Sequence, residues 1–484
     1  MRPPFLSLTI MMSIIAITGG LSLFGIRNIK MDLSHLLVGS RSLGGLLLWL
    51  LMAGENYTSY TFLGAAGWAY GKGICAFYVF ASYTITCILS FFVFPPLWRS
   101  GRAHGLMTNA DYFGQVYQSR WLSVVVGLVG IFSLVPFVAL QLTGIQILLH
   151  IGSYGRLNSI GAAGLAFFAI LAFILVGGIR GVAFASIFKD SMMVGALVFA
   201  GIVLPVRFAG SPLAVINQVL RGHPQWMTLS PGASEYGLRW FVSTTFLAAF
   251  GALMWPHAVG ACFSARDEDS IRWNAVRLPL YQMLLLLVYF AGFTALLVRP
   301  GLTGAAVDQS FMLVVQEHYP PWLLGTIAGT GCLAALLPAG AQVLAAASLI
   351  SRNVVSPLLG TTREQHRASV TRWLAVLVAV LAFGLWAFAD TTIIGLVLWG
   401  YSIIVQLFPG VVLSFLQKPP RAMSVGVGIV VALTTLVAFG RLGLNTLSGI
   451  NVGLVALILN TATVLTCEYL TKSVRALVTV SGTR

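Results

Sequence analysis

Runs of roughly 18 or more apolar residues recur along the whole chain, each long enough at 1.5 Å per residue to cross a hydrocarbon layer about 30 Å thick. Their approximate bounds are 5–26, 43–70, 73–97, 121–149, 158–177, 187–206, 239–262, 275–298, 321–350, 371–389, 391–416, 422–440 and 446–470. The pattern predicts an all-α integral membrane protein of about thirteen spans. No polar stretch is long enough for a separate soluble domain, so residues 1–484 read as a single transmembrane domain. The longest gap, 207–238, is rich in Pro and Gly and can hold an interfacial helix. In the gap before the fourth run, Thr108 or Asn109 can cap a short helix.

Polar positions inside the runs are more informative than those between them. The centre of 43–70 reads Ala53-Gly54-Glu55-Asn56-Tyr57-Thr58-Ser59-Tyr60. Glu55 lies about 12 residues in, or ~18 Å, near the bilayer midplane. A carboxyl group there costs ~2.5 kcal/mol or more, and intramembrane acids mark ion, proton or solute paths. Burial disfavours its charged form, whereas the N-terminus of a following half-helix favours it. The run 239–262 is interrupted in turn by Gly251 and by Trp255-Pro256-His257. Two interrupted helices thus stand at corresponding positions five spans apart. Because five is odd, spans 43–206 and 239–416 would form inverted repeats, with a binding site where the two breaks meet. Residues 5–26, 422–440 and 446–470 are then peripheral helices.

Other polar residues carry weaker signals. Pro136 frees a backbone carbonyl in the fourth run, and Gln141 offers an amide that either lines a cavity or bonds a neighbouring helix. Tyr78, Ser82, Tyr83 and Thr84 either line a cavity or bond their own helix carbonyls. The mixed charges of Ala265–Asn274 suggest a solvated hinge, and Asp390 a wet turn. His257 is read as a histidine bonding a neighbour more readily than as a coupling group.

Composition confirms the class. Hydrophobic residues make up 58% of the chain and charged ones 8%, with a mean hydropathy of +0.91, far from the roughly 25% charged residues of soluble domains. The net charge of +15 does not imply nucleic acid, because most Lys and Arg fall on alternate loops. That bias places the N-terminus outside and the C-terminus in the cytoplasm of a cell membrane, such as a bacterial inner membrane. The first run has the length of a retained helix and lacks a small-residue cleavage site, although Arg2 precedes it as in a signal peptide. The five cysteines lie in or at the ends of runs with no metal-ligand spacing and read as packing residues. No nucleophile–base pair, metal cluster or phosphate loop is present, so neither an enzyme nor a cofactor is expected.

The order and spacing of several segments resemble the sodium/solute symporter family, on the leucine-transporter-type fold. The matching segments are Gly39-Ser40-Arg41-Ser42-Leu43-Gly44, Phe62 to Gly67, Thr108 to Tyr112, Gly177-Gly178 with Arg180, and the stretch after the seventh run. Gly54 to Thr61 and Val135 to Leu142 look most like the monocarboxylate permease branch, whose substrates are of lactate and pyruvate type. The resemblance implies a secondary active transporter working by alternating access. It also implies a sodium position made by the carbonyls of Gly54, Tyr57 and Ala335 and by two hydroxyls, at positions that here are Pro338 and Ala339. Neither has a side-chain oxygen, and a hard cation needs oxygen ligands. Coupling to a proton through Glu55, or transport without an ion, is therefore expected in place of sodium.

No Lys or Arg falls at a predicted mid-span. The charge of a small carboxylate would be met by half-helix N–H groups and by Asn56, Tyr57, Thr58, Tyr60, Gln141 or Gln406. Sugar-transporting relatives resemble one another in polar residues where this chain has Phe250 and Leu253, which argues against a sugar. Two other readings stay open: a sodium-coupled symporter of an amino acid or other small metabolite, and a non-transporting membrane sensor on the same fold.

Overall fold

The computed structural model describes residues 3–25, 38–231, 235–355, 364–389 and 391–481, and nearly all of them are helical. Asp390 lies outside the described residues. In chain order the helices are α1 (Pro3–Gly25), α2 (Gly45–Asn56), α3 (Ala65–Lys72), α4 (Tyr78–His104), α5 (Asn109–Val116), α6 (Arg120–Gly152) and α7 (Ser159–Val198). They continue with α8 (Leu204–Ala209), α9 (Pro212–Gly222), α10 (Leu238–Ala252), α11 (Pro256–Ser264), α12 (Glu268–Gln282), α13 (Leu285–Val298) and α14 (Ser310–His318). The last are α15 (Pro321–Leu349), α16 (Glu364–Phe388), α17 (Ile393–Ile404), α18 (Phe408–Leu413), α19 (Ala422–Arg441) and α20 (Val452–Ser481). A two-stranded hairpin, β1 (Thr446–Leu447) and β2 (Ile450–Asn451), precedes α20.

Both predicted breaks are present, and local chemistry explains each. After α2 the backbone turns extended at Tyr57 (φ −94°, ψ 90°). Thr58 Oγ1 accepts the Tyr60 N–H at 3.1 Å, and Thr61 Oγ1 accepts the Thr58 N–H at 2.9 Å. These side chains offer the backbone an alternative to helical pairing and cap the second half. A π-turn over Tyr60–Gly64 then leads into α3. The second break separates α10 from α11 with a bend of 46°. Pro256 has no N–H and opens α11, while Trp255 before it is held extended (φ −56°, ψ 130°).

α15 is the axis of the bundle, with 89% of its span window buried. Its glycines admit neighbours at close range: a Cβ on Gly325 would lie 2.6 Å from the Ser7 carbonyl of α1, and one on Gly331 2.8 Å from Phe62 and Leu148. α6 and α7 pack along its other sides, so the segment carrying Ala335, Pro338 and Ala339 is fully enclosed.

Several boundaries differ from the pattern. Among the described residues, ten helices are long and apolar enough to span a membrane, or eleven with the bent pair, against thirteen expected. The first difference is 43–70, which Tyr57 and Thr58 split into pieces too short to count alone. The second is the run 158–177, which begins a helix whose backbone continues over Ser159–Val198. The expected hinge at 265–274 is instead the start of α12, capped by Asp267, whose Oδ1 accepts the Ser270 N–H at 2.8 Å. The expected start of the last span at 446 is a hairpin. The loop 207–238 does hold a helix, α9, and the loop 299–320 holds another, α14, that the hydropathy pattern did not show.

Candidate functional site

The two breaks meet at a cavity of about 70 Å³, lined chiefly by Glu55, Asn56, Tyr83, Phe137, Trp255, His257 and Tyr401. Glu55 stands on the last turn of α2, where the helix is about to unwind. Its side chain is buried, and Oε1 makes no hydrogen bond with the described residues. The Asn56 carbonyl accepts from Thr61 Oγ1 at 3.0 Å and from the Tyr83 hydroxyl at 3.3 Å, which ties the break to α4. His257, on the first turn of α11, has an unpartnered Nδ1 and packs against the rings of Phe137 and Trp255, with centroids 5.5 and 5.7 Å away. A carboxyl, an amide and an imidazole thus converge in a space otherwise walled by aromatic rings.

The cavity extends along α4 past Ser90 and Phe94, and along α12 past Asn274 and Leu278. In the opposite direction it meets an aromatic seal. Trp68 stacks on Trp240 with centroids 5.4 Å apart, the edge of Tyr78 meets Trp240 at 5.3 Å, and Tyr236 meets Trp68 at 5.5 Å. The Lys72 ammonium stands 4.2 Å over the Tyr236 ring.

Of the residues singled out from the sequence, Glu55, Asn56, Tyr83 and His257 line this cavity. Tyr57 does not: its hydroxyl donates to the Tyr281 carbonyl at 2.9 Å, and its ring meets Tyr281 edge-on. The Thr58 hydroxyl is occupied by the Tyr60 N–H. Tyr60 donates to the Tyr78 hydroxyl at 3.1 Å, beside the aromatic seal. Gln141 Oε1 accepts the Ser59 N–H at 3.3 Å, leaving Nε2 free, so this amide holds the second half-helix against α6. Gln406 donates to the carbonyls of Ser402 and Gly453 and accepts from Asn460, bridging α17 and α18 to α20 away from the cavity. Ser82 and Thr84 bond carbonyls of their own helix.

The expectation that no cation stands at mid-span is corrected. Lys189, at the start of the apolar run 187–206, is fully buried within α7, and its Nζ donates to the Gly54 carbonyl at 2.5 Å and the Tyr57 carbonyl at 3.5 Å. Asp190 is buried beside it, 3.1 Å from Nζ, so Glu55 is not the lone acid at this depth either. The signal was present: a Lys-Asp pair inside an otherwise apolar stretch is two ionisable groups at membrane depth. In the predicted run 187–206 the pair falls at a span end, where such charges are ordinary.

A helical membrane bundle whose discontinuous helices meet at a small, partly polar chamber is the construction of a secondary transporter. The model of the sodium:solute symporter family matches residues 36–418, and the chain belongs to that family. It is 35% identical over 471 residues to the uncharacterized symporter YhjB of Bacillus subtilis, covering 94% of this chain and 96% of that one. It is 26% identical over 342 residues to a monocarboxylate transport permease protein of Rhizobium johnstonii, covering 69% and 68%. Among solved structures, that of a Na+-coupled sialic acid symporter in its substrate-bound, outward-open state superposes with a TM-score of 0.79 at 14% identity, covering 97% of this chain and 98% of the other. These relatives are transporters and not enzymes.

Proposed function

We propose that the protein is a proton-coupled carrier of small monocarboxylates, with Glu55 as the group that exchanges the proton. The observation that carries this reading is an unpartnered, buried carboxyl facing a very small chamber. A chamber of about 70 Å³ walled mostly by aromatic rings suits a small acid better than a bulky solute. Two carboxylates in that space repel strongly in a low dielectric, so an anion enters beside Glu55 only when one of the pair carries a proton. Solute and proton then bind together. The similarity to a monocarboxylate permease protein supports the same class.

In this reading Asn56 and the N–H groups at the start of the second half-helix orient the carboxylate. Gln141 and Tyr60 hold that half-helix in place. The N-terminus lies outside and the C-terminus in the cytoplasm, so the cavity opens inward past Phe94 and the aromatic seal closes the outer side. Alternating access is a rocking of 43–206 against 239–416. Proteoliposome uptake of labelled pyruvate, lactate, acetate, alanine and proline, with and without sodium, tests the proposal. Accumulation of the first three without sodium supports it. Preference for an amino acid, or an absolute need for sodium, favours the sodium-coupled alternative.

A further inference from the structure

We propose that the Lys189 ammonium is a built-in cation filling the place where the broken helix would otherwise hold a free metal ion. The inference rests on the transporter reading above but not on the identity of the solute. The last carbonyls of a helix have no intrahelical partners and carry the negative end of its dipole. In α2 two of these lie at the break, and half-helix C-terminal ends with unwound carbonyls are where carriers hold coupling cations. Here Gly54 O and Tyr57 O, with Asp190 Oδ1, give three acceptors to an ammonium that has three N–H donors. The cation is saturated by the chain itself.

Three further observations support it. A Cβ on Gly54 would lie 3.0 Å from Lys189 Nζ and 3.1 Å from Ser186 Oγ, so the helix needs glycine where the ammonium approaches. Helix α15 packs against α2, and the positions that the family resemblance gives to two sodium-binding hydroxyls are here Pro338 and Ala339, which have no side-chain oxygen. Asp190 is also held by the Tyr281 hydroxyl at 3.3 Å, which aims its carboxylate at Nζ. The ionisable groups around Lys189 are Asp190 on its own helix, Glu55 and Tyr57 on and beside α2, and Tyr281 on α12. An ammonium so held stays with the protein through the cycle, and sodium has no place to bind.

The test reads protein stability, so a wrong solute assignment leaves it standing. The melting temperature of the purified full-length protein is measured in sodium, lithium, potassium and choline chlorides at one ionic strength, for the wild type and for Lys189→Ala and Lys189→Thr. The wild type is expected to melt at one temperature in all four. The variants, with the carbonyls vacated, are expected to gain about 2 °C or more in sodium over choline, saturating with concentration. A saturable sodium-dependent rise in the wild type overturns the proposal, and so do folded variants that melt alike in every salt. Should neither variant fold, the wild-type titration decides alone.

Discussion

Glu55 is a buried carboxyl that faces the chamber between the two broken helices. Its position in the broken stretch was legible because a carboxyl group in the middle of an apolar run has no cheap structural explanation. Tyr83 and the break at Trp255-Pro256-His257 pointed to the same site, but Phe137 and Tyr401 carried no such signal and join it only in the fold. Glu55→Gln keeps the shape and removes the exchangeable proton. Uptake driven by a pH gradient is expected to fall at least about tenfold, while solute exchange between equal pH and the amount of protein in the membrane stay near wild type. Asp308, in the loop before α14, offers a second test. Its Oδ2 accepts the Ile393 N–H at 2.7 Å at the start of α17, its Oδ1 is unpartnered, and burial pushes its pKa from 3.8 up to about 7. A folded-state pKa above the unfolded one means a stabilising contribution that is complete below about pH 4 and lost as the pH rises through about 7. Thermal melts between pH 4 and 8 are expected to show that loss, and Asp308→Asn to flatten it. An Asp308→Asn protein that retains the full pH dependence would count against the assignment.

At the scale of elements, hydropathy located most helices because apolar runs of this length have one outcome in a bilayer. It missed what depends on contacts between helices. The Thr108 cap was readable from its type and position, and the capping box with Asp111 is present. That Asp111 also pairs with Arg352 at 3.0 Å and accepts from Asn353 at 2.8 Å, clamping α5 to the turn after α15, was not readable, because the partners lie more than 200 residues away. Asp111→Ala removes the carboxylate half of the capping box and leaves Arg352 without its carboxylate; it is expected to cost roughly 2–4 kcal/mol, measured as a lowered melting temperature. Helix packing at Gly292 of α13 is equally specific: an added Cβ would lie 2.1 Å from the Ala66 carbonyl of α3, a backbone atom that cannot turn aside. Gly292→Ala is expected to destabilise by about 1–3 kcal/mol and to shift the second half-helix. Gly19→Ala, with nothing within 4 Å of the new Cβ, is the neutral control.

For the whole molecule, the sequence pattern revealed the membrane class and the two breaks, and the family follows from residues 36–418. The electrostatic centre needed three dimensions. Lys189 looks like an ordinary charge at a span end until α7 is seen to carry it against the Gly54 carbonyl of α2. Gln406 looks like a site residue until its amide is seen joining α17 and α18 to α20. In the assembled account, a fixed ammonium holds the broken helix from one side while a movable proton on Glu55 admits the solute from the other. The most direct measurement is of proton movement itself. Proteoliposomes carrying an internal pH-sensitive dye, free of sodium and with no initial pH gradient, are given external pyruvate or lactate. The account predicts an internal acidification that scales with solute uptake at about one proton per anion, beyond that of protein-free vesicles, and is absent with Glu55→Gln. Solute uptake with no change in internal pH, or acidification undiminished in the variant, would contradict it.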